Sequence, residues 1–283
     1  MDATPLDRRK FYFDFKWFLI FAIIAFLIIF EVFPLLYLVF RSFFPSGSFS
    51  LEAFKRVYTY ELNWTALKNT LITASASLVF GVLIAFPLAW LVGRTNLYFK
   101  KFFRTLFVMT YMVPPYVGAM AWLRLLNPSV GTLNKFLADL FHLSSMPFNI
   151  YSVGGLIWVL TTFYYPYAFI TISRAMEKMD PSLEEAALIS GASWLRSFKD
   201  ITIPLIAPSV VAGWFLIFMP CFYELTMSTL LYSTNTKTLG FELYQYQTYH
   251  SQQTASAMAA AILIFVVVVN WILNKLTDGK FSI

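Results

Sequence analysis

Three places in this 283-residue sequence combine residue types and spacings that could do chemistry. The first is the run Asp180-Pro181-Ser182-Leu183-Glu184-Glu185-Ala186-Ala187, followed at intervals by Gly191, Ile201 and Pro204. The second is Glu224, a carboxylate with Pro220 and Tyr223 close by in an otherwise apolar stretch. The third is Pro114-Pro115-Tyr116-Val117-Gly118-Ala119, where successive prolines remove backbone donors inside another apolar stretch. None of these is a hydrolytic or redox constellation. The single cysteine, Cys221, and the two histidines, His142 and His250, are too few for an intramolecular disulfide or a Cys/His zinc cluster. None of the 11 glycines begins a G-x-x-x-x-G-K-[ST] phosphate loop, so the chain does not hydrolyse nucleotide by that route. No paired carboxylates or Ser/His/Asp set point to an enzyme.

The elements that position these residues must be membrane helices. Charged residues make up 13% of the chain, where a soluble domain carries about 25%. Burying 31 Phe, 16 Tyr and 8 Trp in one water-soluble core is not feasible, so the expected fold is an all-α polytopic membrane protein. Six stretches reach the roughly 20 apolar residues that a bilayer requires: 17–40, one within 69–93, 105–123, 150–173, 207–231 and 255–273. Basic residues concentrate on the side of the N-terminus, at Arg94, Lys100, Lys101, Arg104, Arg174, Lys178, Arg196 and Lys199 as well as Arg8, Arg9, Lys10, Lys16, Lys275 and Lys280. That bias places both termini in the cytoplasm. The net charge of +6 therefore reports topology and membrane lipid as the surroundings, not nucleic acid. Residues 1–16 form a cytoplasmic N-terminal segment and 17–283 a six-span domain whose distinctive cytoplasmic loop covers 174–205. The first apolar segment is far longer than a signal core of about 7 to 15 residues, which makes it a permanent span.

That loop spells a short helix with explicit ends. Asp180 is a good N-cap, Pro181 suits the first helical position, and Glu184 and Glu185 favour the positive end of the helix dipole. Ser182 with Glu185 offers an alternative capping box, and Gly191 can end the helix in the left-handed conformation. A helix of about two turns is not stable alone in water, so it must dock, either on its own membrane or on a partner.

The order Glu185-Ala186-Ala187, Gly191, Ile201, Pro204 resembles the cytoplasmic motif of permease subunits of ATP-binding-cassette importers: EAA, three residues, G, nine residues, I, one residue, LP. Ile203 stands where the family usually has Leu, a volume-conserving exchange. The Asn69-Thr70 pair opening the second span is similar to the family pattern as well. The resemblance implies a type I importer permease fold in the cell's inner (cytoplasmic) membrane, non-catalytic and without a bound cofactor or metal. The implied partners are an ATPase dimer that uses ATP and Mg, a second permease chain identical or homologous to this one, and an extracytoplasmic substrate-binding protein. It also implies that Glu184, Glu185, Ala186, Ala187, Gly191, Ile201 and Pro204 form the ATPase-coupling element.

The Pro-Pro-Tyr-x-Gly-Ala tract, Glu224-Leu225 and Thr236-Lys237-Thr238-Leu239 resemble the ferric-iron branch, which implies ferric iron or an iron chelate as substrate. Polyamine, phosphonate and thiamine permeases are the alternatives, and a self-sufficient secondary transporter is a further one. Glu224, Tyr223, Tyr116 and Pro115 are the candidates for the translocation pathway. A carboxylate on the apolar fifth span either faces a polar cavity or stabilises the helix package. Pro114-Pro115 marks either a wet cavity or a packing kink. Glu31, near the outer end of span one, has a weaker claim. Tyr244, Tyr246 and Tyr249 fit an interfacial aromatic belt or a surface for the binding protein.

Overall fold

The computed structural model describes residues 8–45, 47–249 and 251–276, with no account of the side chains of 8–14, 272–274 and 276. His250, Lys280 and the first seven residues of the N-terminal segment lie outside the described residues. All regular elements among the described residues are helical. Span one comprises α1 (Arg8–Leu27), a π-helical turn (Ile28–Val32) that carries Glu31, and α2 (Phe33–Phe43). After the short α3 (Glu52–Thr59), α4 (Glu61–Arg94) is the second span. The third apolar stretch is divided into α5 (Lys100–Met112) and α6 (Pro115–Leu126), followed by α7 (Thr132–Leu140). The fourth span is α8 (Val153–Lys178), and the cytoplasmic loop carries α9 (Ser182–Ile189) and α10 (Trp194–Ser197). A second π-helical turn, Phe198–Thr202, leads into α11 (Ile203–Phe222). On the outer side follow α12 (Thr226–Leu230) and α13 (Leu239–Tyr249), before α14 (Gln252–Leu276) returns through the membrane.

The core is the packing of α4, α8 and α11 on one another. Small side chains allow this closeness: Ala66, Ala74, Ala85 and Ala89 of α4 and Ala168 of α8 are fully buried. On α11, a Cβ added to Gly213 would stand 3.0 Å from Ala168. In lipid, where no hydrophobic force separates helix from solvent, such close backbone approach is what holds helices together. Pro87, Pro166, Pro208 and Pro220 sit inside these helices, where neighbouring helices can compensate for the lost donors.

Ion pairs and hydrogen bonds settle how many times the chain crosses. The C-terminal ends of α4 and α8 share one side, because Arg94 pairs with Glu184 and Arg104, just inside α5, pairs with Glu177 near the end of α8. At the other end, the Asn127 amide just after α6 donates to the Tyr151 hydroxyl just before α8 at 3.4 Å. Thus α4 and α8 run in the same direction, and α5 with α6 must carry the chain back across between them. The two helices meet at 96°, so the span expected over 105–123 is broken where Pro114-Pro115 interrupts it. With five continuous candidate spans this makes six crossings.

One further expectation is corrected. The fifth span begins at Trp194 and ends at Phe222, which leaves Glu224 beyond the helix instead of within it. Span one is apolar enough to cross, yet none of its most apolar window is buried against the rest of the chain.

Candidate functional site

The cytoplasmic loop is built as its cap residues dictate. The Asp180 carboxylate accepts from the Ser182 N–H at 2.9 Å, and that bond holds its carboxyl below the ordinary carboxylate range. Asp180, rather than a Ser182/Glu185 box, therefore supplies the described side-chain cap. At the other end Gly191 has φ +88°, its N–H reaches the Leu188 carbonyl at 3.0 Å and the Ala192 N–H reaches the Ala187 carbonyl at 3.0 Å. This pair of bonds is a Schellman termination. The Ser193 hydroxyl accepts from the Arg196 N–H at 3.3 Å and starts α10.

The two glutamates of the motif point to different surroundings. Glu185 and Ala186 are exposed, with Ala187 half-buried beside them. Glu184 instead accepts from the Arg94 guanidinium at the foot of α4 and from the Thr202 hydroxyl before α11. Arg94 also donates to the Met179 carbonyl at 3.3 Å. These bonds fasten α9 to the inner ends of two spans. Trp194 adds to the fastening by stacking on Phe198, with centroids 5.4 Å apart, and meeting Trp90 edge-on at 6.2 Å. Ile201 is half-buried in the π-helical turn, and Pro204 follows that turn within the continuous helix Trp194–Phe222. Outward from the membrane, Leu183, Leu188 and Ile189 are left exposed, Ile189 at 87%. A rigid, capped knob with an uncovered apolar tip is suited to seat in a partner's groove and to transmit force from it.

On the far side of the membrane, Glu224 is buried and its carboxylate oxygens accept from the Met227 N–H at 3.0 and 2.9 Å and the Ser228 N–H at 3.0 Å. It caps α12. Gly240 packs so closely on the Glu224 carbonyl that no side chain fits there. The polar pair Asn69-Thr70 ties this region to α4: the Asn69 amide donates to the carbonyls of Asn235 and Lys237 at 3.0 Å each, and the Thr70 hydroxyl accepts from the Leu239 N–H at 2.8 Å. Lys237 pairs with buried Glu242 at 3.3 Å. Tyr223 is exposed, and α12 packs against α6, whose exposed first residues are Pro115 and Tyr116. Gly118 and Ala119 are buried, and Gly118 lies directly under the Phe163 ring.

Three further tyrosines, not singled out in the sequence, continue from Glu224 across α8 to α5. Tyr164 lies within electrostatic reach of Glu224, Tyr167 and Tyr223. Its neighbour Tyr167 meets Tyr111 of α5 edge-on with centroids 5.0 Å apart and lies 6.0 Å from Tyr164. The i, i+3 spacing of Tyr164 and Tyr167, which places both on one helix face, was the available signal.

Comparison with known proteins adds the family. Residues 85–281 match the family described as "Binding-protein-dependent transport system inner membrane component". The chain is 28% identical over 241 residues to the sn-glycerol-3-phosphate transport system permease protein UgpA of Escherichia coli O6:K15:H31 (strain 536 / UPEC), covering 79% of this chain and 76% of that protein. It is 27% identical over 161 residues to the galactooligosaccharides transport system permease protein GanP of Bacillus subtilis (strain 168), covering 56% of this chain and 37% of that protein. In fold it is similar to a chain of a bacterial alginate ABC transporter solved in complex with its alginate pentasaccharide-bound periplasmic protein, with TM-score 0.78, 21% identity and coverage of 99% of both chains. These relatives do not belong to the ferric-iron branch, and that expectation is withdrawn. The residues behind it have duties in the fold: Gly118 admits Phe163, Glu224 caps α12, and 236–239 is tied to α4. The chain belongs to the family of binding-protein-dependent transport system inner membrane components, the multi-pass permeases of ABC importers.

Proposed function

We propose that this chain is the permease subunit for uptake of a polyhydroxylated solute: a sugar, an oligosaccharide or a glycerol phosphate. The observation that carries this reading is the row of tyrosines Tyr111, Tyr167 and Tyr164 along α5 and α8, with Glu224 and Tyr223 within electrostatic reach of Tyr164. Tyrosines offer apolar ring faces and hydroxyl edges, the combination that matches the alternating C–H and O–H surface of a carbohydrate. The one carboxylate of this group already accepts three backbone N–H bonds, which leaves it committed to the fold and not free to bind a cation. The names of the glycerol phosphate and galactooligosaccharide relatives support the same class.

In this scheme a binding protein delivers the solute to the outer face, and a second permease chain, identical or homologous, completes the pathway. The exposed tip of α9, with Glu185, Ala186 and Ala187, seats on a separate ATPase dimer, which uses ATP and Mg. Glu184, Gly191, Ile201 and Pro204 hold that tip in place. A self-sufficient secondary transporter is set aside by the family.

Uptake in proteoliposomes containing the complete transporter and its binding protein tests the reading. Labelled oligosaccharide or glycerol phosphate should be accumulated on addition of ATP, and Tyr167→Ala should reduce that uptake about tenfold while the complex stays assembled. ATP-driven uptake of ferric iron with no uptake of these solutes would overturn it.

A further inference from the structure

A cavity of 310 Å³ between the inner ends of α5 and α8 belongs neither to the coupling loop nor to the tyrosine group. At its cytoplasmic rim it is polar, lined by Arg104 and Thr105 of α5 and by Ser173 and Arg174 of α8. One to two turns deeper in the membrane the wall becomes apolar, with Val108 and Met112 of α5 and Ile170 of α8. This order follows from the opposite directions of the two helices: residue numbers rise away from the cytoplasm on α5 and towards it on α8.

The charge at the rim is positive. Glu177 is shared between Arg104 and Lys100, the latter at 3.9 Å, while Lys101 and Lys178 flank the same rim in sequence. Arg174 is exposed and makes no hydrogen bond or ion pair among the described residues. Cations at headgroup depth beneath an apolar slot at acyl-chain depth match one amphiphile in both halves.

We propose that this cavity binds an anionic phospholipid of the inner leaflet. Its phosphodiester rests on Arg104 and Arg174, and one acyl chain lies along the apolar wall. A free phosphate ion would use the rim alone and leave that wall uncovered.

Native mass spectrometry of the intact transporter complex, exchanged into mixed phosphatidylglycerol and phosphatidylcholine, tests this. Phosphatidylglycerol should be retained over phosphatidylcholine, and Arg174→Gln should lower that retention about fivefold. Val108→Trp, which fills the slot and changes no charge, should lower it as well. Arg124→Gln, at the outer end of α6, should leave it unchanged, and millimolar inorganic phosphate should not displace the lipid. Equal retention of the two lipids, or indifference to Arg174→Gln, would overturn the proposal. So would an effect of Arg174→Gln with none of Val108→Trp, or displacement by phosphate, since either marks a simple anion site.

Discussion

At the C-terminal end of α9, Gly191 holds a backbone conformation that side chains with a Cβ resist, and it does so without any neighbour crowding its Cα. Gly191→Val is therefore expected to weaken the Schellman end by about 1 to 2 kcal/mol through the backbone alone. Transport and co-purification with the ATPase should fall while insertion into the membrane is unchanged; undiminished coupling would show that the turn does not matter. Glu184 sits two turns away with a different duty. Arg94→Ala removes a charge-assisted bond of the kind worth about 1.5 to 3 kcal/mol, and the lower end applies because Glu184 is 28% exposed. The expected result is faster amide exchange in α9 with the transmembrane core unaffected. For Asp180, the depressed folded-state value means that its contribution is present above the unfolded carboxylate value of about 3.9. It is lost as pH falls through the lower folded value. Exchange of the Ser182 amide should accelerate in that acid window, and Asp180→Asn, which keeps a capping oxygen, should abolish the pH dependence.

At the scale of elements, the broken third span illustrates how local and distant residues share one feature. Val113 and Pro114 adopt extended backbone (ψ 131° and 135°), as a residue before proline prefers, and this allows the 96° turn. What holds α6 in its new direction is contact with α8, where Phe163 lies over Gly118. Gly118→Leu should force these helices apart, lowering the melting temperature of the purified complex and transport together, in line with about 1 to 3 kcal/mol for overpacking. Glu224 and α12 form a second such unit. Glu224→Ala deprives the α12 N–H groups of their acceptor, whereas Glu224→Gln keeps one carbonyl oxygen in place. Transport lost in the first and largely kept in the second would identify the cap as its role; equal loss in both would indicate that the negative charge itself serves the pathway.

For the whole molecule, six crossings place the α9 loop on one side and the α7 region on the other. A membrane-impermeant maleimide should label Ser182→Cys only from the cytoplasmic face and Ser145→Cys only from outside, against a low background because Cys221 is buried. Labelling of both from one side would reduce the α5/α6 pair to a re-entrant loop. The sequence by itself determined the membrane setting, the apolar segments and the caps of α9. Hydropathy and capping act over one helix or one turn and leave their mark in consecutive residues. Through the spacing of Glu185, Gly191, Ile201 and Pro204 it also marked the α9 loop, for which the coupling role is proposed. Tertiary structure alone decided that Glu184 turns inward to Arg94, 90 residues earlier, that the Asn69 amide reaches the carbonyls of Asn235 and Lys237, and that Tyr111 meets Tyr167. Those outcomes depend on which helices become neighbours, a property of the packed bundle of α4, α8 and α11 that no local pattern of residues encodes.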